Sequence, residues 1–251
     1  MVAAAKLQRH TGRRRAGRFL AEGPNLVEAA AHRELVEEVF ATEAAVQRHA
    51  GLLSGLAVHV VTERAAKALS ETVTPSGLVA VCRLPATELD EALSGAPALV
   101  AVAVDLSEPG NAGTLIRLAD AMGAAAVIFA GHSVDPYNGK CLRASAGSIF
   151  AVPVVVEPDT PAVLAALRAA GLQVLATTLA GEVNLDDAET LLTAPAAWMF
   201  GPEAQGLSTD LAALADHRVT IPMAGGAESL NVAAAAAICL YESAKAQRRR
   251  S

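Results

Sequence analysis

Three short polar clusters in this sequence carry side chains able to do chemistry. "GNAGTLIRLADAMGA" offers Asn111 and Arg117, "GPEAQGLS" offers Glu203 between Gly201 and Gly206, and "AGGAESLNV" offers Ser229 and Asn231. Amide, guanidinium, carboxylate and hydroxyl groups at loop-to-helix junctions suit the binding and orientation of a polar ligand. Free backbone N–H groups and the positive end of the helix dipole gather there. Each cluster also has a plainer reading. Arg117 could be a surface ion-pair residue, "GPEAQGLS" an ordinary strand-to-helix turn, and Ser229 the N-cap of an alanine-rich core helix. Neither glycine cluster is a nucleotide fingerprint. The G-x-G-x-x-G spacing is missing from the first, and no Gly-Lys-Ser/Thr follows the second.

The clusters must be held by something, and the pattern around them supplies it. From Leu99 onward short apolar runs alternate with helical segments: "ALVAVAVDL", "AAAVIFAG", "VPVVVE", "LQVLATTLA", "AAWMFG" and "HRVTIPM", with stretches such as "TPAVLAALRAAG" between several of them. Buried strands alternating with helices predict a parallel sheet in an α/β domain. Ligands of such sheets bind at the carboxyl ends of strands, and all three clusters follow a strand. "NAGTLIRLADAMG" reads as a helix ending at Gly123, with Asn111 as its cap. Residues 1–90 read as a separate small α/β unit. "NLVEAAAHRELVEEVFAT" mixes helical spacing with a charged face, "LAVHVVT" and "TPSGLVAVCRL" are strand-like, and "ERAAKALSET" is helical. "PATELDEALSGAPA" has linker composition, and residues 91–251 form the second domain.

Composition excludes several classes. At 251 residues and 53% hydrophobic the chain can bury a large core, yet no uninterrupted apolar run is long enough to cross a membrane. The basic N-terminus lacks the apolar stretch of a secretory signal. Cys82, Cys141 and Cys239 are far apart and offer no disulfide framework or zinc spacing, and the six histidines show no ligand spacing. A reducing cytoplasm and no metal are expected. The formal charge is −6, but Lys6, Arg9, Arg13, Arg14, Arg15 and Arg18 precede the first acid, Glu22. Lys245, Arg248, Arg249 and Arg250 close the chain. A local basic patch, not the sum, attracts phosphates. The alternative for both termini is a solvated tail.

In order, the three clusters resemble the signature motifs of the SpoU/TrmH family of RNA ribose 2′-O-methyltransferases. "NAGTLIRLADAMGA" looks like the first motif, "FGPEAQGLS" the second, and "IPMAGGAESLNVAAAAAICLYE" the third. "NGKCLRASAGSIFAVPV" is also similar to the family, in Lys140, Arg143, Ser145 and Gly147. "RRRAGRFLAEGPNLVEAA" and "LSETVTPSGLVAVC" resemble the ribosomal-protein-like substrate-binding domain that often precedes the catalytic one. One departure is Ala204, where many relatives carry glycine.

The resemblance implies a C-terminal parallel-sheet methyltransferase domain tied in a trefoil knot, preceded by a small α/β RNA-binding domain. Knots are exceptions to the usual topology rules, and close chain crossings would explain Gly225, Gly226 and the alanine run. It implies S-adenosylmethionine as cofactor, a homodimer through the knot region, and RNA as partner, with ribosomal RNA favoured over transfer RNA by the two-domain layout. Catalytic residues carried over are Asn111, Arg117, Glu203, Ser229 and Asn231. Those for the cofactor are Thr177, Gly201, Gly206, Ile221, Met223 and Leu230. Arg13, Arg14, Arg15, Arg18, Lys140 and Arg143 are assigned to RNA phosphates, and Phe19 to base stacking or, alternatively, to the core. The family account makes Arg117 the base that takes the hydroxyl proton. Free guanidinium groups have a pKa above about 12, so a phosphate anchor is the other reading. A transfer-RNA methyltransferase and a non-catalytic RNA-binding protein retaining the fold remain alternatives.

Overall fold

Leu99–Val104 contains no charge and is buried at every position, as expected of a strand covered on both faces of a sheet. In the computed structural model, which describes residues 1–202 and 206–250, the chain forms two units. The first holds Met1–Ala86 with Asp135–Phe150, the second Thr87–Val134 with Ala151–Ser251.

Two short helices, α1 (Val2–Ala5) and α2 (His10–Ala16), precede β1 (Arg18–Glu22) and α3 (Pro24–His32). β2 (Val36–Ala41), α4 (Glu43–Arg48), α5 (Ala50–Leu53), β3 (Val58–Val60), α6 (Glu63–Leu69) and β4 (Leu78–Arg83) follow. Their four-stranded sheet has the order β1-β4-β2-β3. Two strands differ from the sequence expectation. The stretch "NLVEAAAHRELVEEVFAT" is not one helical pattern: α3 stops at His32, Glu34 turns the chain with φ +55°, and Val36–Ala41 pairs with β4. The β-branched and aromatic residues Val36, Val39 and Phe40 favour that strand. β1 is likewise a strand, within the basic N-terminal region.

The second unit begins with α7 (Leu89–Ala92), in the segment with linker composition, and runs through β5 (Leu99–Val104), α8 (Pro109–Ala121) and β6 (Ala126–Ala130). The chain then enters the first unit, where α9 (Gly139–Ser145) lies. It returns as β7 (Val154–Glu157), α10 (Thr160–Ala169), β8 (Gln173–Thr177), β9 (Val183–Asn184), α11 (Glu189–Leu192), β10 (Ala196–Phe200), α12 (Thr209–Ala213), β11 (His217–Thr220) and α13 (Val232–Arg250). The sheet order is β7-β6-β5-β10-β8-β11-β9, and each neighbouring pair runs parallel. The long α13 packs on α8 and is fixed deeper in by Trp198 Nε1, which donates to Ser243 Oγ at 2.8 Å where both are buried.

The placement of 135–150 departs from a boundary near residue 90. Tyr137 and Phe150 pack against Phe19, with ring centroids at 5.1 and 6.0 Å. Arg13 Nε donates to Asp135 Oδ2 at 2.7 Å, while Arg13 Nη1 donates to the carbonyls of Leu7 and Gln8. These contacts correct two site assignments. Phe19 is fully buried and packs against protein rings, not on RNA bases. Arg13 is 4% exposed, so its guanidinium is a structural charge and not a phosphate contact.

A buried pair that loses one partner leaves the other charge uncompensated, at a cost of about 3 kcal/mol. Asp135→Ala is expected to lower stability in urea unfolding by about that amount. Arg14→Ala, at an exposed position of the same helix, should change it by less than about 0.5 kcal/mol.

Candidate active site

The carboxyl ends of β10, β8 and β11, three adjacent strands, surround a cavity of about 410 Å³. Its walls include Thr177 after β8, Gly201 and Gly206 after β10, and Ile221 and Met223 after β11. Ser229 and Leu230, just ahead of α13, complete this set. Every residue assigned to the cofactor from the sequence therefore lines one cavity. The volume falls within the usual range for small-molecule pockets.

Local geometry explains the glycines here unequally. At Gly201 a Cβ would stand 2.3 Å from the backbone nitrogen of Leu207, so the loop after β10 folds back directly onto it. Gly206 turns that loop with φ +64°. Gly225 and Gly226, by contrast, have open space where a side chain would go, so close chain crossing does not account for them. Among the described residues, Thr178 Oγ1 is a buried side-chain oxygen without a hydrogen-bond partner, and Thr178 lines the cavity. Such an atom is expected where a polar ligand completes the wall.

The catalytic set divides. Asn231, not Ser229, caps α13: its Oδ1 accepts from the backbone N–H of Ala233 at 2.9 Å and of Ala234 at 3.4 Å. Asn231 Nδ2 donates to Asn111 Oδ1 at 3.1 Å, which joins the first and third motifs. Asn111 is not itself a cap, because α8 starts at Pro109 and Glu108 accepts from the N–H of Gly110. Gly110 and Gly113 both lie inside α8. Ser229 is exposed at the cavity. Arg117 is exposed on α8, about 120° away from Asn111 around the helix axis, and is not part of the cavity wall. Glu203 lies outside the described residues.

The basic residues of the first unit also divide. Arg14, Arg15 and Lys140 are exposed. Arg18 pairs with Glu37 at 2.6 Å, and Arg143 lies 3.9 Å from Glu22. Cys82 and Cys141 are buried, which pushes both thiols up to about 12 and removes them from thiolate chemistry. Leu179 and Glu228, both lining the cavity, were not singled out from the sequence. Glu228 could have been, since it directly precedes Ser229 in the third cluster. Among the described residues, no helix is long and apolar enough to cross a membrane.

Comparison with known proteins identifies both parts of the chain. Residues 98–241 match the SpoU rRNA Methylase family, and residues 3–80 match the MRM3-like substrate binding domain. The 23S rRNA (guanosine(2553)-2′-O)-methyltransferase of Bacillus subtilis is 34% identical over 240 residues, covering 94% of this chain and 92% of its own. The SpoU methyltransferase AviRb from Streptomyces viridochromogenes, solved with AdoMet, superposes with a TM-score of 0.87 at 32% identity, covering 99% of this chain and 97% of its own. The AdoMet-bound rRNA methyltransferase from Sinorhizobium meliloti superposes with a TM-score of 0.84 at 31% identity, covering 99% and 94%.

Gly201→Ala tests the cavity. The added methyl must displace the backbone of the loop that forms one wall, and overpacking of this kind costs about 1–3 kcal/mol. Affinity for S-adenosylmethionine, measured by calorimetry, should fall about tenfold or more, with the α/β circular dichroism signal retained.

Proposed function

We propose, for a chain that belongs to the SpoU rRNA methylase family, the transfer of a methyl group from S-adenosylmethionine to a ribose 2′-hydroxyl of ribosomal RNA. The carrying observation is the convergence of Thr177, Gly201, Gly206, Ile221, Met223 and Leu230 on one cavity. That cavity adjoins the helix start where Asn231 meets Asn111. The relatives named for 23S rRNA 2′-O-methylation support the substrate class. The hydroxyl that accepts the methyl group exists in RNA and not in DNA, so the chemistry itself selects RNA.

S-adenosylmethionine supplies an activated methyl group, so the protein's task is to position the reactants and exclude water. Thr177, Gly201, Gly206, Ile221, Met223 and Leu230 hold the donor through backbone groups and apolar walls, and Thr178 Oγ1 is available to it. Ser229 and the Asn231–Asn111 pair orient the ribose from the adjoining helix starts. Arg117, exposed on α8, grips the neighbouring RNA phosphate through its planar fork. Glu203 is assigned to the second motif's support of the pocket.

Arg14 and Arg15 on α2 and Lys140 on α9 add phosphate contact in the substrate-binding unit. The chain pairs with a second copy through the knot region. Support for that comes from Ile238 and Tyr241, large apolar residues exposed on α13. The trefoil threading itself is proposed from family membership.

Arg117→Ala should remove methyl transfer while leaving S-adenosylmethionine affinity within a few-fold. Arg117→Lys should rescue poorly, because an ammonium cannot reproduce a bidentate fork. Near-normal turnover of the alanine variant on its RNA would overturn the assignment. In the first unit, replacing Arg14 and Arg15 together should flatten the salt dependence of RNA affinity by about 1.4 logarithmic units, two contacts at about 0.7 each on single strands. Equal slopes for wild type and variant would return these arginines to the status of solvated charges.

A further inference from the structure

The turn between β5 and α8 adopts a conformation that side chains disfavour. Asp105, the first residue after β5, has φ +53°, in the left-handed region that L-residues other than glycine rarely occupy. Outliers of this kind persist only where surrounding contacts over-determine them, and they cluster at functional sites. The contacts are visible here. Asp105 Oδ1 accepts from the backbone N–H of His132 at 2.7 Å. Gly131, with φ +63°, faces the same carboxylate so closely that a Cβ would stand 2.3 Å from Asp105 Oδ1. Ser133 Oγ accepts from the N–H of Leu106 at 3.1 Å and donates to the carbonyl of Ala130 at 2.7 Å. Backbone bonds from Asp105 N to Ala130 O and from Val134 N to Leu106 O flank these ties.

The turn is thus laced to the loop after β6 by side chains of both loops. Three residues beyond Asp105, Glu108 caps the start of α8, the helix that carries Asn111 and Arg117. Nothing in this lacing reaches the donor cavity, whose walls come from the loops after β8, β10 and β11 and from the start of α13.

We propose that Asp105 is a positioning residue for methyl transfer: its carboxylate ties the β5–α8 turn to residues 131–134 and thereby fixes where α8 begins, and with it Asn111 and Arg117. The proposal rests on the assignment of those two residues to the RNA side of the site. An unlaced turn lets the start of α8 drift, and displacements of about 1 Å can cost about a hundredfold in rate. Donor binding, served by other loops, is untouched. The effect therefore falls on kcat and not on cofactor affinity.

Two substitutions at Asp105 separate the carboxylate from the backbone conformation. Asp105→Gly keeps the left-handed turn, relieves its strain and removes the acceptor. Asp105→Asn keeps both the tolerance for that turn and an acceptor oxygen. Asp105→Gly is expected to bind S-adenosylmethionine within about twofold of wild type while kcat at saturating RNA falls about ten- to hundredfold. Asp105→Asn should restore kcat to within a few-fold, because its amide oxygen can still accept from the N–H of His132. Ser133→Ala, which cuts the companion tie without altering the turn, should lower kcat in the same direction. It carries the test should Asp105→Gly fail to fold. Wild-type kcat in whichever of these two variants folds, with Arg117→Ala inactive, overturns the positioning role. Full turnover in Arg117→Ala as well would instead overturn the assignment of α8 to the substrate, and the positioning role with it.

Discussion

Much of the catalytic unit depends on one amide. Asn231 ends the loop that lines the cavity, caps the longest helix of the chain and bonds to Asn111 at the start of α8. A free helix N-terminus leaves backbone N–H groups unsatisfied, and an Asx cap supplies one acceptor for them. Here the amide nitrogen of the same side chain donates to Asn111 at a second helix start. The two motifs are separated by 120 residues in sequence, so this bond fixes a long-range register that local propensity cannot set. With α13 packed on α8 and buried through Ser243 and Trp198, the loop between β11 and α13 has both ends held. A loop fixed at both ends can present Ile221, Met223, Ser229 and Leu230 to one cavity.

Much of the catalytic sheet was legible in the sequence, because buried parallel strands write themselves as continuous apolar runs. Leu99–Val104, Ala126–Ala130 and Ala196–Phe200 are buried throughout and needed no partner to be recognised. Where strands are half-exposed, the pattern weakens. β2 shows burial only in its second half, and its leading Val36-Glu37-Glu38 continued the helical spacing of α3. β9 is two residues long, below any periodicity. The residues that line the cavity are legible through motifs, but glycines within those motifs are ambiguous: only the structure separates Gly201, pressed against Leu207, from Gly225 and Gly226 in open space. Ser229 and Asn231 are both good caps on sequence grounds, and what decides between them is that Asn231 Oδ1 accepts from the N–H groups of Ala233 and Ala234.

The basic N-terminus is the clearest case of composition saying less than it promised. Six cations before the first acid look like one electrostatic surface, yet they have different fates. Arg13 is taken inward by Asp135, Arg18 is paired with Glu37, and Arg14 and Arg15 remain at the surface. The signal that would have distinguished Arg13 lies 122 residues away in Asp135, and spacing cannot reveal it. Phe19 belongs to the same event, since the rings it meets, Tyr137 and Phe150, arrive on the same returning segment.

That returning segment gives the architecture its logic. The chain leaves the catalytic unit after Val134 and comes back at Ala151, so the unit boundary is crossed by the chain after β6 as well as after residue 86. The first unit is therefore completed by a stretch of chain that lies far from its other residues in sequence. Here residues 131–134, which are laced to Asp105 and the start of α8, lead without interruption into Asp135, whose carboxylate is locked by Arg13 on α2. Adjacent positions of α2 carry Arg14 and Arg15, assigned to RNA phosphates. Within the first unit Asp135 is held by Arg13, and within the second residues 131–134 are held to the β5–α8 turn through Asp105 and Ser133. The segment is thus tied on each side of the boundary by contacts of its own unit, a buried ion pair on one side and a left-handed turn on the other, and the two partners of each tie lie far apart in sequence.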